Sequence, residues 1–192
     1  MAVNLPAVYL ALLHYPVYNK EQEVVATAVT NLDLHDLARL AVTYGCQGFF
    51  VVTPLELQTK LVKRLLDHWL TGRGGEFNPT RKEAFSRTRV VGNLDAVLAM
   101  VAAEAGRPAR IVATSAREHR GSVSFSELRA RIGQEEGPWL ILFGTGWGLT
   151  EEFLSTVPEA ILEPIAGAGS YNHLSVRSAA AIVVDRLLAR AR

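Results

Sequence analysis

The sequence has a single cysteine, two methionines and almost no net charge: 20 Lys and Arg oppose 19 Asp and Glu, leaving +1 over 192 residues. Cys46 alone forms no internal disulfide, which points to a reducing cytosol, and its place ahead of an apolar segment suits a buried structural thiol. The near-neutral balance excludes binding of nucleic acid by overall charge, so any polyanionic partner must meet a local basic patch. No apolar run reaches membrane-spanning length and no basic leader opens the chain, so a cytoplasmic protein with no membrane partner is expected. The phosphate loop G-x-x-x-x-G-K-[ST] is missing, and the dinucleotide fingerprint G-x-G-x-x-G fails because Leu149 stands at its third glycine. His14, His35, His68, His119 and His173 lack ligand spacing with cysteines or paired acids, so no metal site is expected. No internal repeat or low-complexity tract is evident.

What is present is a globular composition, 49% hydrophobic and 20% charged, long enough for one domain with a sizeable core. Residues 7–13, 48–53, 89–92, 108–114, 140–143 and 160–165 read as strands, and 24–28 as a short extended piece. The continuous apolar run at 48–53 marks a strand buried on both faces and therefore central. Residues 33–44 read as a helix with Leu34, Leu37, Leu40 and Ala41 on one face, Asp33 or Asn31 as cap and Gly45 as stop. Pro54 opens a helix to Leu70 whose apolar stripe is Leu57, Leu61, Leu65 and Trp69. Further helices span 94–105, ended by Gly106, and 126–132. A third starts at Thr150, with Glu151 and Glu152 in its first turn. The last spans 176–192, capped by Ser175, with Arg186, Arg190 and Arg192 at its negative end. Residues 71–88 read as an irregular loop. Strand and helix alternate throughout, which predicts an α/β fold: a mostly parallel sheet flanked by helices.

Two glycine-rich loops dominate the last third. In WLILFGTGWGLTEEF, the apolar run 140–143 empties into Gly144, Thr145, Gly146, Trp147, Gly148 and Leu149. In AILEPIAGAGSYNHLSVRSAAAI, a second strand gives way to Ile165, Gly167 and Gly169, then Tyr171, Asn172, His173 and Leu174. Glycine admits positive φ and lets a ligand approach main-chain N–H and C=O groups. Two such loops at the carboxyl ends of neighbouring parallel strands form a ligand crevice. A ligand gripped by backbone groups, with an apolar ring against Leu149, Ile165 and Leu174, fits better than a phosphate chain; an adenosine with a short polar tail is suitable.

These two motifs resemble the carboxy-terminal signatures of the SPOUT family of RNA methyltransferases, within it a bacterial branch of predicted methyltransferases, over nearly the whole chain. The resemblance implies a C-terminal trefoil knot, S-adenosylmethionine as cofactor and a homodimer formed in part by the last helix. It implies that Gly144, Thr145, Gly146, Trp147, Gly148 and Leu149 line one cofactor loop, and Ile165, Gly167, Tyr171, Asn172, His173 and Leu174 the other. The segment after residue 113, beginning Thr114-Ser115, would close the cofactor cup. Residues 33–41 resemble the first motif of the SpoU branch, N-x-G-x-x-x-R-T-A, with Arg39 on its arginine, which in that branch is proposed to assist the RNA target. Asp33, His35 and Leu40 depart from that motif.

Methylation needs a positioned acceptor and a route for its proton. The segment after the first strand places His14, Tyr18 and Asn19 where active-site groups gather, so these and Arg39 are the catalytic candidates, with Arg87, Arg117 and His119 further ones. Lys60, Lys63, Arg64, Arg73, Arg81, Lys82, Arg87 and Arg89, interleaved with Phe77 and Phe85, form the candidate surface for a tRNA or rRNA. Two alternatives remain open at this point: a binding module of the same fold without chemistry, and an unrelated nucleotide-dependent α/β enzyme.

Overall fold

The computed structural model describes residues 7–169 and 171–189; Arg190 and Arg192, expected at the end of the last helix, lie outside the described residues. The chain forms β1 (Val8–Leu13), a small hairpin of β2 (Val17–Tyr18) and β3 (Val24–Val25), then α1 (Asn31–Thr43) and β4 (Gly48–Val52). There follow α2 (Glu56–Leu70), α3 (Arg73–Phe77), α4 (Pro79–Ser86), β5 (Thr88–Val91) and α5 (Leu94–Ala105). The last part is β6 (Arg110–Thr114), α6 (Phe125–Gln134), β7 (Trp139–Gly144), α7 (Glu151–Thr156), β8 (Ala160–Leu162) and α8 (Val176–Leu188). Six strands make one sheet in the order β5-β4-β1-β7-β6-β8, parallel at every pairing.

Side chains alternate across each strand, so one strand feeds two cores. Val8, Leu10 and Leu12 of β1 pack with α1, α2, α4, α6 and α8. Tyr9, Ala11 and Leu13 face the other way, onto α5 and α7. Burying both faces is what requires the continuous apolar runs of these strands.

Several expectations are corrected. The centre of the sheet is β1 and β7, with β4 one place further out. The two strands that feed the glycine-rich loops are not neighbours, because β6 lies between β7 and β8. Helix α1 is capped by Thr30, whose hydroxyl accepts from the Asp33 amide and donates to the Asp33 carboxylate at 2.6 Å; Asp33 and Asn31 are already inside the helix. Pro54 precedes the cap of α2 rather than opening its first turn. The buried residues of α2 are Val62 and Leu66, while Leu57 is 77% exposed and Leu61 44%. The stretch 71–88 is largely helical. Asn78 caps α4 by accepting from the Arg81 amide, and Pro79 occupies its first turn, where proline's missing N–H costs nothing. Strand β8 stops at Leu162, short of Pro164. Gly106 ends α5 in the left-handed conformation, and Thr150 and Ser175 cap α7 and α8 as expected. No helix among the described residues is long and apolar enough to cross a membrane.

Candidate cofactor site

A cavity of about 860 Å³ lies at the carboxyl ends of β6, β7 and β8. The end of β7 and the loop after it supply residues 143–149 to its wall, and each glycine there answers a different demand. Gly146 has φ +58°, and a Cβ on it would stand 2.7 Å from the Tyr18 carbonyl oxygen. Gly148 has φ +98° with open space around the Cβ position. Gly144 has an ordinary φ, but a Cβ would stand 2.8 Å from Leu149 Cγ. Only glycine meets all three conditions without strain or displacement.

The segment after β1 clasps this loop from behind. Tyr18 N donates to the Gly148 carbonyl and Trp147 N to the Tyr18 carbonyl, both at 2.9 Å. Val17 bridges Leu149, and the Tyr18 hydroxyl accepts from Glu151 N at 3.4 Å. Of the two expected catalytic groups here, Tyr18 backs the loop and Asn19 makes no bond to it. Neither lines the cavity, and Asn19 closes its own turn through both amide atoms to Glu23 at 2.8 Å.

The loop after β6 forms the intervening wall with Thr114, Ser115, Ala116 and Arg117, where the sequence placed it. The Thr114 hydroxyl donates to the Leu142 carbonyl at 2.9 Å, and Ser115 Oγ pairs with His119 Nε2 at the same distance. Arg117 stands 3.6 Å from Glu151. From the loop after β8, Ile165, Asn172, His173 and Leu174 reach the wall. Asn172 Nδ2 donates to the Ala116 carbonyl at 3.2 Å and so ties this loop to its neighbour. Gly167 and Tyr171 do not reach the wall; Tyr171 is 79% exposed and lies edge-on to His173.

Sequence reasoning missed the remaining side: Thr27, Thr30 and Asp33 before and within α1, Glu163 after β8, and Val176, Ala179 and Val183 of α8. Asp33 reads from sequence as a possible cap and as a departure from the SpoU-like motif; its burial beside Arg177, 3.8 Å away, is not visible locally. Glu163 is held by accepting from Phe125 N at 2.6 Å.

Arg39 is exposed, bound to Asp36 at 2.6 Å, and absent from the cavity wall. His14 is also off the wall: it is fully buried, and burial pushes its pKa down to about 4 against a smaller opposing pull from Asp33. At neutral pH it is an uncharged imidazole. Cys46 is buried, which pushes its thiol up to about 12 and leaves it unreactive.

None of the eight basic candidates lines the cavity. Lys60, Lys63, Arg64, Arg73 and Lys82 are exposed. Lys60 pairs with Glu56 at 3.9 Å on the surface, and three others have partners within the fold. The Arg81 guanidinium lies 4.8 Å from the Trp69 ring centroid, Arg87 donates to the Cys46 carbonyl at 2.8 Å, and Arg89 pairs with Glu104 at 2.8 Å. Phe77 is 95% exposed, whereas Phe85 is buried in the core and unable to stack on a base.

A parallel six-stranded sheet flanked by helices, with a cavity built by glycine-rich loops at its strand ends, defines an α/β protein that binds a small organic ligand. Residues 7–189 match the family model of SAM-dependent RNA methyltransferases, and the chain belongs to that family. It is 42% identical over 185 residues to an uncharacterized protein of Aquifex aeolicus, covering 96% of this chain and 90% of that one. It is 47% identical over 180 residues to a tRNA (guanine-N(1)-)-methyltransferase of Nitratidesulfovibrio vulgaris, covering 94% of this chain and 41% of that one. The chain thus spans about two fifths of this longer relative. Among solved structures, the SpoU methyltransferase AviRb from Streptomyces viridochromogenes superposes with TM-score 0.57 at 16% identity, covering 97% of this chain and 60% of that one. The RNA methyltransferase family read from the two glycine motifs is thereby shown by sequence, and the likeness to a SpoU methyltransferase is one of fold.

Proposed function

We propose that the protein transfers a methyl group from S-adenosylmethionine to a nucleotide of RNA, in a tRNA or an rRNA. The observation that carries this reading is the convergence of both glycine-rich loops on one cavity in a member of a SAM-dependent family. A volume of about 860 Å³ suits a cofactor of that size, since small-molecule sites span about 300–1,000 Å³. Leu149, Ile165 and Leu174 offer an apolar face for a purine ring. Thr114, Ser115, Asn172, His173 and the main chain of 144–148 offer polar contacts. Asp33, Glu151 and Glu163 bring carboxylates to the wall, the first paired with Arg177 and the second with Arg117. When bound, the cofactor supplies a methyl group made electrophilic by its sulfonium. The chain's residues then need only orient the acceptor and remove its proton.

In this reading Gly167 and Tyr171 shape the second loop from outside the wall. Arg117 on the wall, and Arg39 beyond it, orient the RNA target, while Tyr18 stiffens the first loop and Asn19 the turn behind it. Lys60, Lys63, Arg64, Arg73 and Lys82, with Phe77, meet the RNA. The described residues act as one domain, the chain between β8 and α8 completes a trefoil knot, and two copies pair through α8. A monomer by light scattering would count against that pairing.

The test is transfer of radiolabelled methyl from S-adenosylmethionine to RNA lacking native modifications. Label in RNA supports an enzyme. Cofactor binding without transfer favours a second reading, a module that binds cofactor or RNA without chemistry, which the position of Arg39 outside the wall supports. Absence of both binding and transfer overturns the proposal.

A further inference from the structure

We propose that His14 is a positioning residue for the cofactor cavity: it heads a directed chain of hydrogen bonds that leaves Thr27 and Thr145, both on the wall, able only to accept hydrogen bonds from a ligand. The inference rests on the reading of that cavity as the S-adenosylmethionine site.

The direction of the chain follows from counting protons. His14 Nδ1 lies 3.0 Å from Thr27 Oγ1, Thr27 Oγ1 lies 2.5 Å from Thr145 Oγ1, and Thr145 Oγ1 lies 3.2 Å from the Leu13 carbonyl oxygen. A carbonyl only accepts, so Thr145 donates to Leu13. A hydroxyl has one proton, so Thr145 must accept from Thr27. Thr27 has then spent its own proton, and the group facing it at His14 must be Nδ1–H. The main chain repeats the tie, with Thr27 N donating to the His14 carbonyl at 2.9 Å.

A neutral imidazole carries one N–H, so Nε2 is left bare. Nε2 is the atom found buried without a hydrogen-bond partner. Protonating it as well would create a buried cation, which burial opposes. The tautomer is thus fixed from the Leu13 carbonyl end, and His14 in turn fixes both threonines.

Each threonine oxygen now accepts one bond and donates one, which leaves a single lone pair. Thr27 and Thr145 both line the cavity. This pair of hydroxyls has no proton to give. It favours ligand groups that donate or that carry positive charge, and so favours the sulfonium of S-adenosylmethionine over the neutral thioether of S-adenosylhomocysteine. His14 thereby acts on cofactor selectivity without touching the cofactor.

The first measurement uses the unaltered protein: nitrogen NMR of the histidine side chains, with His14 assigned by comparison with His14→Asn. The expected signature is protonated Nδ1 and bare Nε2, unchanged across neutral pH. The second is calorimetry with S-adenosylmethionine and with S-adenosylhomocysteine. Thr27→Val removes two bonds of the chain and His14→Leu one; each is expected to lower affinity for the sulfonium form by about tenfold or more, at least the equivalent of one hydrogen bond, with less effect on the thioether. His14→Asn, whose amide N–H stands near the position of Nδ1–H, should return affinity to within about threefold of the parent. A protonated Nε2, or equal losses for the two ligands in Thr27→Val, overturns the proposal; if His14→Leu does not fold, the tautomer and Thr27→Val decide. A parent protein that binds neither compound refutes the cofactor reading instead, a result the tautomer measurement tells apart.

Discussion

Replacing the three glycines of the first loop one at a time by alanine separates three physical causes that a sequence motif merges. At Gly148 the cost is conformational: φ +98° with nothing within 4 Å of the new Cβ, so roughly 1–2 kcal/mol for an L-residue held at positive φ. At Gly146 the same penalty applies at φ +58°, and the Cβ would also stand 2.7 Å from the Tyr18 carbonyl. That carbonyl accepts from Trp147 N, so relieving the contact also weakens a hydrogen bond worth about 1 kcal/mol. The total for Gly146→Ala is about 2–3 kcal/mol. At Gly144 there is no conformational penalty, only crowding of Leu149, for which overpacking costs about 1–3 kcal/mol. Urea unfolding measures each loss as a change in midpoint at constant slope, and calorimetry with S-adenosylmethionine measures the cost at the site. Gly146→Ala is expected to be more destabilised than Gly148→Ala and to lose the most cofactor affinity. Equal stability of these two variants, or full cofactor affinity in Gly146→Ala, would refute the view that the hairpin behind the loop sets its shape.

Other predictions follow from the same geometry. S-adenosylmethionine at about one hundred times its Kd should stabilise the fold by about 2.7 kcal/mol, seen as a rise in Tm of roughly 5–10 °C; no shift at saturation speaks against the site. Because His14 has a folded pKa of about 4 against an ordinary 6.5, the unfolded chain binds the extra proton first, so stability is full above pH 6.5 and falls as the pH drops toward 4. The total loss is about 3 kcal/mol, and an acid titration of stability unchanged in His14→Asn would show that another group is responsible. Charge reversal at Lys60, Lys63 and Arg64 should weaken RNA binding and flatten its salt dependence by about one unit of slope per lost phosphate contact, with cofactor affinity intact. Arg87→Ala should instead lower stability by roughly 1–3 kcal/mol through the orphaned Cys46 carbonyl, read by urea unfolding.

Most elements were legible because their signals are local. Apolar runs marked the strands, Thr150 and Ser175 marked helix starts, and Gly106 marked a stop. Strand order was not legible, since nothing in residues 139–165 records that β6 inserts between β7 and β8. Half of the face expected for α2 was misjudged for a related reason. Leu65 and Trp69 pack against the core, but Leu57 and Leu61 do not. The leucines of this helix cover more than one stripe, and only the tertiary partner decides that Val62 and Leu66 face inward while Leu57 faces solvent. Glycine and proline in 71–88 suggested irregularity, but Pro79 is helix-compatible after a capping Asn78, and Gly75 avoids a collision with the Trp69 carbonyl. The site showed the same division. The loop residues were named from the motifs, whereas Thr27 comes from a segment that carries no signature, and Asp33 and the α8 residues, read as parts of helices, meet the loops only in space.

The distribution of tryptophan gives the molecule an optical reporter of its own. The chain has three indoles, and their surroundings differ sharply. Trp139 is sealed in the core, and Trp69 is stacked on Phe85 beneath Arg81. Trp147 alone sits in the glycine-rich loop, 51% exposed, on the cavity wall. Emission that changes when a small molecule is titrated in therefore reports chiefly on that loop, so occupancy of the cavity can be followed in unlabelled protein without waiting for any product to form.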